Sequence, residues 1–194
     1  MWDFATEPEF QAKLDWAGEF MRTEIEPLDL LFPDQAFDEP HAALRAHVHE
    51  LKQCVRERGL WACHLGPELG GQGYGAVRLA LLNEILGRSQ GEHNLGWGPV
   101  VFGTQAPDTG NAEIIAHYGT AEQKAKYLQP LLDGEIFSAF SMTEPQGGAD
   151  PGVFTTRARR DAGGRVIDGV KRRGARMPSC WLPSRGPFAF LVDQ

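Results

Sequence analysis

The chain has 194 residues, a formal net charge of −7 and 42% apolar residues, which is ample for a packed core. Its 26 acidic residues outnumber 19 basic ones, which argues against a surface that neutralises nucleic-acid phosphates or an anionic membrane. The composition therefore favours a small-molecule ligand and no nucleic-acid partner.

The cysteine content and the lengths of the apolar runs indicate the cellular compartment in which the protein is expected. Cys54, Cys63 and Cys180 form no Cys-x-x-Cys pair and leave one thiol unpaired, which is typical of a reducing environment. No apolar stretch approaches the roughly 18 residues of a membrane span, and the first residues are acidic where a targeting signal would be basic. We expect a cytoplasmic protein without a membrane span.

The N-terminal half shows helical periodicity. A capping box at Thr6-Glu-Pro-Glu9 predicts a helix start, and a buried stripe should run to about Pro27, with a loop over 28–39. A second helix should begin near Pro40 and end at Gly59. The predicted inward positions are Phe10, Leu14, Ala17, Met21 and Ile25 in the first helix, and Leu44, Val48, Leu51 and Val55 in the second.

The glycine-rich segment from Gly66 to Gly75 matches the spacing of a dinucleotide-binding fingerprint. That motif requires a preceding buried strand, and the residues before it, with Gly66-Pro67 among them, make a poor strand. We therefore favour a tight loop between helices. The apolar helix expected after it, from about Ala76 to Arg88, should lie centrally.

Further helices are predicted from Trp97 to Leu132. Trp97–Phe102 is apolar, a polar turn should cap a short helix through Glu113, and Thr120-Ala-Glu-Gln123 is a second capping box. The aromatic residues Trp16, Trp61, Trp97 and Phe102 are expected to serve the helical core. Gly134 should end the last helix.

The periodicity changes to alternating from Ile136. A strand is predicted over 136–142, and a hairpin is predicted from Phe154–Arg159 and Arg165–Ile167 around a turn at residues 161–164. The predicted fold class is α+β, with an all-helical bundle over 1–134, the beginning of an antiparallel β domain over 135–171 and an irregular tail over 172–194.

Three motifs stand in a fixed order before the predicted hairpin. They are a Gly-Gly-x-Gly loop, the run Gly119-Thr-x-Glu-Gln-Lys-x-Lys-Tyr-Leu128, and the loop Met142-Thr-Glu-Pro-x-Gly-Gly-x-Asp150. With the surrounding helices, this order resembles the acyl-CoA dehydrogenase family from about Trp2 to Lys171. The phrase Gln105–Asn111 is further similar to the branch that contains long-chain members fused to kinase-like domains in animals.

The resemblance implies a flavoenzyme that removes two hydrogens from the α and β carbons of an acyl-CoA thioester, with FAD as hydride acceptor. Phe140, Met142 and Thr143 should line the flavin ring, and Gly148 and Ala149 should lie near the pyrophosphate and the acyl-CoA. Many members have serine in place of Ala149, so a side-chain contact is missing. The family also implies an electron-transfer flavoprotein or a similar acceptor as partner, and homo-oligomers.

After Lys171 the sequence departs from the family. The family continues with an aromatic residue that packs on the flavin and a hydroxyl that binds it, whereas this chain reads Arg172-Arg-Gly-Ala-Arg. A frameshift in a GC-rich gene, or an intentionally divergent tail, would explain the change, and sequencing the coding DNA distinguishes them. The family's catalytic glutamate belongs to a C-terminal helical domain, so we expect an incomplete enzyme and assign no catalytic residue here.

Two other candidate sites are given structural interpretations. Glu144 could serve as a base, but we favour a carboxylate satisfied by loop amides or a neighbouring arginine. The six histidines lack metal-ligand spacing, because His47 and His49 fall on different sides of a helix, so no metal site is predicted. We expect these histidines to be surface residues or partly packed ones.

Two alternatives to a dehydrogenase remain open at this point. The chain could be a non-catalytic helical interaction module or a decayed gene product, or it could keep the fold with another reaction, since relatives include flavin-dependent hydroxylases. Flavin binding and turnover with acyl-CoA would separate these alternatives.

Overall fold

A computed structural model of the chain describes residues 6–33, 42–69, 71–89, 96–104, 108–136, 138, 142–161 and 164–171. The chain divides into two compact units, Met1–Ala139 and Phe140–Gln194. In the first unit the helices are α1 Pro8–Phe20, α2 Glu26–Leu31, α3 Ala42–Glu57, α4 Gly75–Leu86, α5 Trp97–Phe102, α6 Asp108–Tyr118, α7 Ala121–Gln123 and α8 Gln129–Leu132. The second unit contains the strands β1 Arg157–Asp161 and β2 Gly164–Asp168.

The first helical segment is longer than the sequence predicts. The π-helical turn Met21–Ile25 joins α1 to α2 without a break in helical backbone, so the chain stays helical to Leu31, and the predicted end near Pro27 is wrong. Pro27 is tolerated because it lies in the first turn of α2. The predicted inward stripe of this helix is confirmed, since all five of its residues are buried.

The start of α1 also differs from the predicted capping box. Its N-cap residue is Glu7, with no capping hydrogen bond from the side chain, and Pro8 occupies the first turn as expected. The Thr6 hydroxyl instead donates to Oε1 of Gln11, at 3.0 Å. Pro8 therefore lies in the first turn as predicted, whereas the predicted pair of capping hydrogen bonds between Thr6 and Glu9 does not form.

The carboxylate of Asp29 links α2 to the start of α5. Asp29 is only 5% exposed; its Oδ2 accepts a hydrogen bond from Ser89 Oγ at 2.6 Å, and its Oδ1 accepts one from the amide of Trp97 at 2.7 Å. Ser89 Oγ in turn accepts from the amide of Gly98, at 2.9 Å. Asp29 and Ser89 thus satisfy amides that a helix start leaves without intrahelical partners.

Replacing Asp29 with alanine should lower the free energy of unfolding by roughly 2 to 4 kcal/mol, because a buried hydroxyl and a buried amide each lose a partner. Chemical denaturation of the two proteins measures the difference. Asp15→Ala is the matched control, since Asp15 is exposed and its hydrogen-bond partner among the described residues is Gln11 on the same helix. Equal effects of the two substitutions would contradict a structural role for Asp29.

The helix α3 agrees with its predicted pattern. The four predicted inward residues are buried, and Gly59 beyond the end of α3 has a φ of +65°, the left-handed conformation expected of a glycine cap. Pro40 lies outside the described residues. Residues 61–69 form turns and the short 3-10 helix Pro67–Leu69 and contain no strand, which agrees with a loop and not with a dinucleotide fingerprint.

The main core lies among α1, α3, α4 and α5. Trp97 and Phe102 are fully buried there, whereas Trp16 and Trp61 pack against the core and stay partly exposed. The central position predicted for the apolar helix α4 is wrong, because only Leu82 and Leu86 are buried and Val77 is 56% exposed. An apolar composition on most sides of a helix does not by itself show which faces are covered.

A smaller apolar cluster holds α6 and α8 together, and Ala112, Leu128 and Leu131 are its buried members. The capping box at Thr120 is confirmed, because Gln123 N donates to Thr120 Oγ1 at 3.2 Å and Thr120 N donates to Gln123 Oε1 at 2.8 Å. Gly134 ends the helical region with a φ of +69°, as predicted.

The second unit contains a two-stranded antiparallel sheet. Arg157 pairs with Asp168, and Asp161 pairs with Gly164, so the predicted hairpin is confirmed. The strand expected over 136–142 does not form at Ile136, Ser138 and Met142, and the other residues of that segment lie outside the described ones. A mostly helical chain followed by antiparallel β structure confirms the predicted α+β fold class. The domain boundaries at 134 and 171 stay predictions.

Candidate functional site

The signature loop 142–150 lies in the second unit, just before the hairpin. Glu144 N donates to Gly147 O at 3.0 Å, and Gly147 N donates to Glu144 O at 3.1 Å, which closes a tight turn around Pro145. The loop ends at Asp150, whose Oδ1 accepts from the amide of Gly152 at 2.8 Å and so caps the 3-10 turn Pro151–Val153. Both ends of the loop are therefore fixed by local hydrogen bonds.

The buried carboxylate of Glu144 fastens this loop to the hairpin. Its Oε2 accepts from Gln146 Nε2 at 2.6 Å, from Thr155 N at 2.7 Å and from Thr155 Oγ1 at 3.0 Å. Its Oε1 accepts from Thr156 N at 3.0 Å and from Lys171 Nζ at 2.9 Å. Burial raises the pKa of Glu144, but these hydrogen bonds outweigh that effect and hold the pKa well below its usual range.

A carboxylate with these partners cannot easily act as a base. Glu144 is 1% exposed and both of its oxygens are occupied, so it accepts no further proton at neutral pH. The predicted structural role is confirmed, with one difference: the neighbouring cation is Lys171 and not an arginine. The glutamate is satisfied by loop amides, as the sequence indicated.

Lys171 is the residue that sequence reasoning missed. Its Nζ also donates to the carbonyl of Met142 at 2.9 Å and lies 4.4 Å from the centre of the Phe154 ring. The lysine thereby holds the beginning of the loop, the buried carboxylate and Phe154, three residues before β1, in one arrangement. Its position just after β2, in Asp168-Gly-Val-Lys171, was the available signal, because a lysine there reaches the strand entry across the hairpin.

The structure brings two of the predicted flavin-site residues together. Thr143 and Gly148 are neighbours, since a Cβ built on Gly148 would lie 3.0 Å from the hydroxyl oxygen of Thr143. Met142 is 48% exposed and Ala149 is exposed, so both are accessible to a ligand. Phe140 lies outside the described residues. A role in flavin binding stays a prediction for all five residues.

The loop has groups that fit a polar, anionic cofactor. Within the part of the chain that the structure describes, the amides of Gly148 and Ala149 donate no hydrogen bond, so they are available to an acceptor outside the loop. Backbone amides presented by a glycine-rich loop are suitable donors for phosphate oxygens or for a developing negative charge on a flavin ring. The donor set fits FAD.

Neither a metal-binding cluster nor a membrane-spanning helix is found among the described residues. Across the described ranges, no group of three or more histidine, cysteine and carboxylate side chains is arranged to hold a metal ion. No helix among those residues combines the length and the apolar content needed to cross a bilayer.

Comparison with known proteins identifies relatives of this chain. The family described as acyl-CoA dehydrogenase, N-terminal domain, matches residues 7–135. A probable acyl-CoA dehydrogenase of Mycobacterium tuberculosis is 36% identical over 181 residues, which cover 92% of this chain and 39% of the relative. One of Arabidopsis thaliana is 33% identical over 189 residues, which cover 83% of this chain and 22% of the relative.

Solved structures of similar fold agree with these matches. A putative acyl-CoA dehydrogenase from Mycobacterium abscessus superimposes with a TM-score of 0.70 at 32% identity, over 86% of this chain and 42% of that one. An acyl-CoA dehydrogenase from Bacillus anthracis, solved in complex with FAD, gives a TM-score of 0.58 at 27% identity, over 86% of this chain and 26% of that one. The chain thus spans less than half the length of each of these relatives. Together with the helical order and the signature loop, the matches establish that this chain belongs to the acyl-CoA dehydrogenase family.

Proposed function

We propose that these 194 residues form the helical part and one wall of the flavin site of an FAD-dependent acyl-CoA dehydrogenase. The observation that carries the proposal is the signature loop, which Glu144 and Lys171 hold in place while the amides of Gly148 and Ala149 stay available. FAD supplies the hydride acceptor for removal of hydrogens from the α and β carbons of an acyl-CoA.

The residues of the loop have distinct proposed roles. Phe140, Met142 and Thr143 line the flavin ring, with the Thr143 hydroxyl donating to its polar edge, and Gly148 and Ala149 donate from their amides to the pyrophosphate and the acyl-CoA. These donors keep their orientation before the ligand arrives, because Glu144 fixes the loop. We assign no base among these residues, since the oxygens of Glu144 are already occupied.

The wider activity follows from family membership and is part of the same proposal. The substrate is an acyl-CoA thioester, the electrons pass to an electron-transfer flavoprotein or a similar acceptor, and the protein works in fatty-acid oxidation in the cytoplasm. An incomplete enzyme is expected if the 194 residues act alone, because the aromatic and hydroxyl residues that the family places after Lys171 are replaced here.

A complementation experiment tests this function. The 194-residue polypeptide alone should bind FAD weakly and should not reduce a dye acceptor with any acyl-CoA. A mixture with the separately expressed C-terminal part of the Mycobacterium tuberculosis relative should gain both flavin absorbance and dye reduction. Failure of that mixture to bind flavin would favour a non-catalytic helical module. If the polypeptide alone binds nearly one FAD per chain and reduces the dye with an acyl-CoA, the expectation of an incomplete enzyme is wrong.

The proposed role of Ala149 gives a sharper test in the same mixture. Ala149→Asp should weaken FAD binding by roughly tenfold or more, because a carboxylate beside the phosphates repels them. Fluorescence titration of FAD measures the affinity. Ala158→Asp is the matched control, since Ala158 is exposed on β1 in the same unit. Equal affinities of the two variants would contradict the assignment of Ala149.

A further inference from the structure

The end of α8 is held by side chains that lie far away in the sequence. Carbonyl oxygens at a helix end have no intrahelical partner. Three successive ones here each accept from a long side chain of α3 or of the turn after it: Leu132 O from Trp61 Nε1 at 2.8 Å, Asp133 O from Arg56 Nη2 at 2.8 Å, and Gly134 O from Lys52 Nζ at 3.1 Å. The point at which the chain leaves α8 is therefore fixed.

Ser138, four residues beyond Gly134, is held by the first turn of α6. Its amide donates to Asp108 Oδ1 at 2.6 Å, and its hydroxyl donates to the same oxygen at 2.5 Å. The hydroxyl also accepts from Asn111 Nδ2 at 2.8 Å. Asp108 and Asn111 are three positions apart in α6, which places both on one side of the helix. Ser138 thus makes three hydrogen bonds with a single helical turn.

The side chains that hold Gly134 and Ser138 also stabilise each other. Burial lowers the pKa of Lys52, and the carboxylate of Asp108 opposes this effect, so it stabilises the ammonium that bonds Gly134. All of these residues belong to the first compact unit, which ends at Ala139. The helical unit therefore holds the chain just before the second unit begins.

The signature loop begins four residues after Ser138. A chain extends at most about 3.3 to 3.6 Å per residue, so the Cα atom of Met142 lies within roughly 14 Å of that of Ser138. The carbonyl of Met142 accepts from Lys171 Nζ at 2.9 Å. Both ends of this short segment are thus held by hydrogen bonds, and a segment that is held at both ends loses little further conformational entropy when a ligand binds beside it.

We propose that Asp108 is a positioning residue of the flavin site, which holds Ser138 and so determines where the chain enters the signature loop. This inference rests on the proposed function, because it concerns how Met142 and Thr143 are presented to the flavin ring. Asp108 acts through Ser138 and is assigned no contact with the cofactor. Without it, the segment before Met142 must be ordered when FAD binds, and the cost of that ordering weakens the affinity.

The fold of α6 does not depend on these hydrogen bonds. The buried residues of the cluster that α6 shares with α8 are Ala112, Leu128 and Leu131, all apolar. Asp108 and Asn111 are only half-buried, so water can reach the groups that lose a partner when either side chain is replaced. We therefore expect substitutions at these two positions to leave the helical unit folded.

Fluorescence titration of FAD in the mixture with the C-terminal part of the Mycobacterium tuberculosis relative tests this role. Asp108→Ala should weaken FAD binding by about tenfold, because hydrogen bonds to a charged group are lost. Asp108→Asn keeps an acceptor oxygen for Ser138 and should bind FAD within about threefold of the wild type. Glu113→Ala is the matched control, since Glu113 is an exposed carboxylate on the same helix.

A double-mutant cycle gives a second measurement that leaves Asp108 in place. Asn111→Ala and Ser138→Ala remove the two partners of one hydrogen bond, so their effects on FAD affinity should not add. Circular dichroism checks that each variant is folded. If the Asp108→Ala chain does not fold, the cycle decides the question.

The possible results separate this inference from the proposed function. A wild-type mixture that binds no FAD would refute the proposed function and the role of Asp108 together. If the wild type binds FAD, an unchanged affinity of Asp108→Ala would overturn the positioning role alone. An equal loss of affinity in Asp108→Asn and Asp108→Ala, or additive effects in the cycle, would overturn it as well.

Discussion

The Lys52→Met variant should lose a pH dependence of stability that amounts to about 3 kcal/mol in the wild-type chain. Burial lowers the pKa of Lys52 to about 8 from its ordinary value of 10.5; Arg56 adds to the effect and Asp108 opposes it. The difference of about 2.5 between the two values corresponds to about 3 kcal/mol. Below about pH 8 the folded protein bears the full cost of a buried ammonium, and between about pH 8 and 10.5 that cost disappears.

The sign follows from proton binding. Between about pH 8 and 10.5 the unfolded chain keeps the lysine proton while the folded chain has released it, so the stability of the wild type relative to the variant rises with pH. Urea denaturation of both proteins at about pH 7 and about pH 10.5 measures this change. Cys63, whose pKa burial raises to about 11, makes a contribution to the pH dependence of stability that has the opposite sign. Because both proteins contain Cys63, this contribution cancels when the stability of the variant is subtracted from that of the wild type.

An exposed lysine provides the control for this experiment. Lys126→Met removes the same charge from the helical unit, but Lys126 is exposed, so its effect on stability should be nearly the same at both pH values. A difference between wild type and Lys52→Met that stays constant across the range would show that Lys52 is not desolvated. The two variants together separate the effect of burial from that of net charge.

The Glu144→Gln variant should loosen the entire loop and hairpin of the second unit. The substitution keeps the shape of the side chain but leaves the ammonium of Lys171 without its counterion and places an amide nitrogen where one of the two backbone donors now points. Amide hydrogen exchange at Thr155 and Thr156 should become at least roughly tenfold faster at neutral pH. The loss reflects the uncompensated buried charge as well as the broken hydrogen bonds.

The low pKa of Glu144 also predicts how the effect of the Glu144→Gln substitution changes with pH. The hydrogen bonds hold the pKa of Glu144 below its ordinary value, so the glutamate stabilises the fold above that ordinary value and loses this contribution as pH falls through the folded one. The difference between wild type and Glu144→Gln should therefore shrink in strong acid. Asp161→Asn is the matched control, because Asp161 is exposed and its ion pair with Arg159 spans 3.6 Å. Equal acceleration in both variants would contradict the proposed anchor.

Periodicity and caps predicted most of the helical unit because they are local properties of the chain. The stripe from Phe10 to Ile25 and the capping box at Thr120 depend on residues three or four apart, and both are confirmed. The link between Asp29 and Trp97 joins residues far apart in sequence, so no local pattern could indicate it. The burial of α4 was mispredicted for a related reason, because the burial of a helix face depends on which other elements of the fold pack against it.

The candidate site could be predicted in part. The signature loop identified the family, and the structural interpretation of Glu144 needed only the general rule that buried carboxylates are hydrogen-bonded. Its partner Lys171 is 27 residues away and could be placed only after the hairpin register was known.

The π-helical turn at Met21–Ile25 determines the direction in which the side chains of α2 point around the helix axis. Because successive residues of an α-helix are offset by about 100°, the extra residue of a π turn acts as a one-residue insertion that rotates the downstream helix. Deleting one residue from this turn would restore continuous α-helix and swing Asp29 about 100° around the axis. The carboxylate of Asp29 would then point away from the amide of Trp97 at the start of α5. The five residues of the π turn therefore decide whether this hydrogen bond, between residues 68 positions apart, can form.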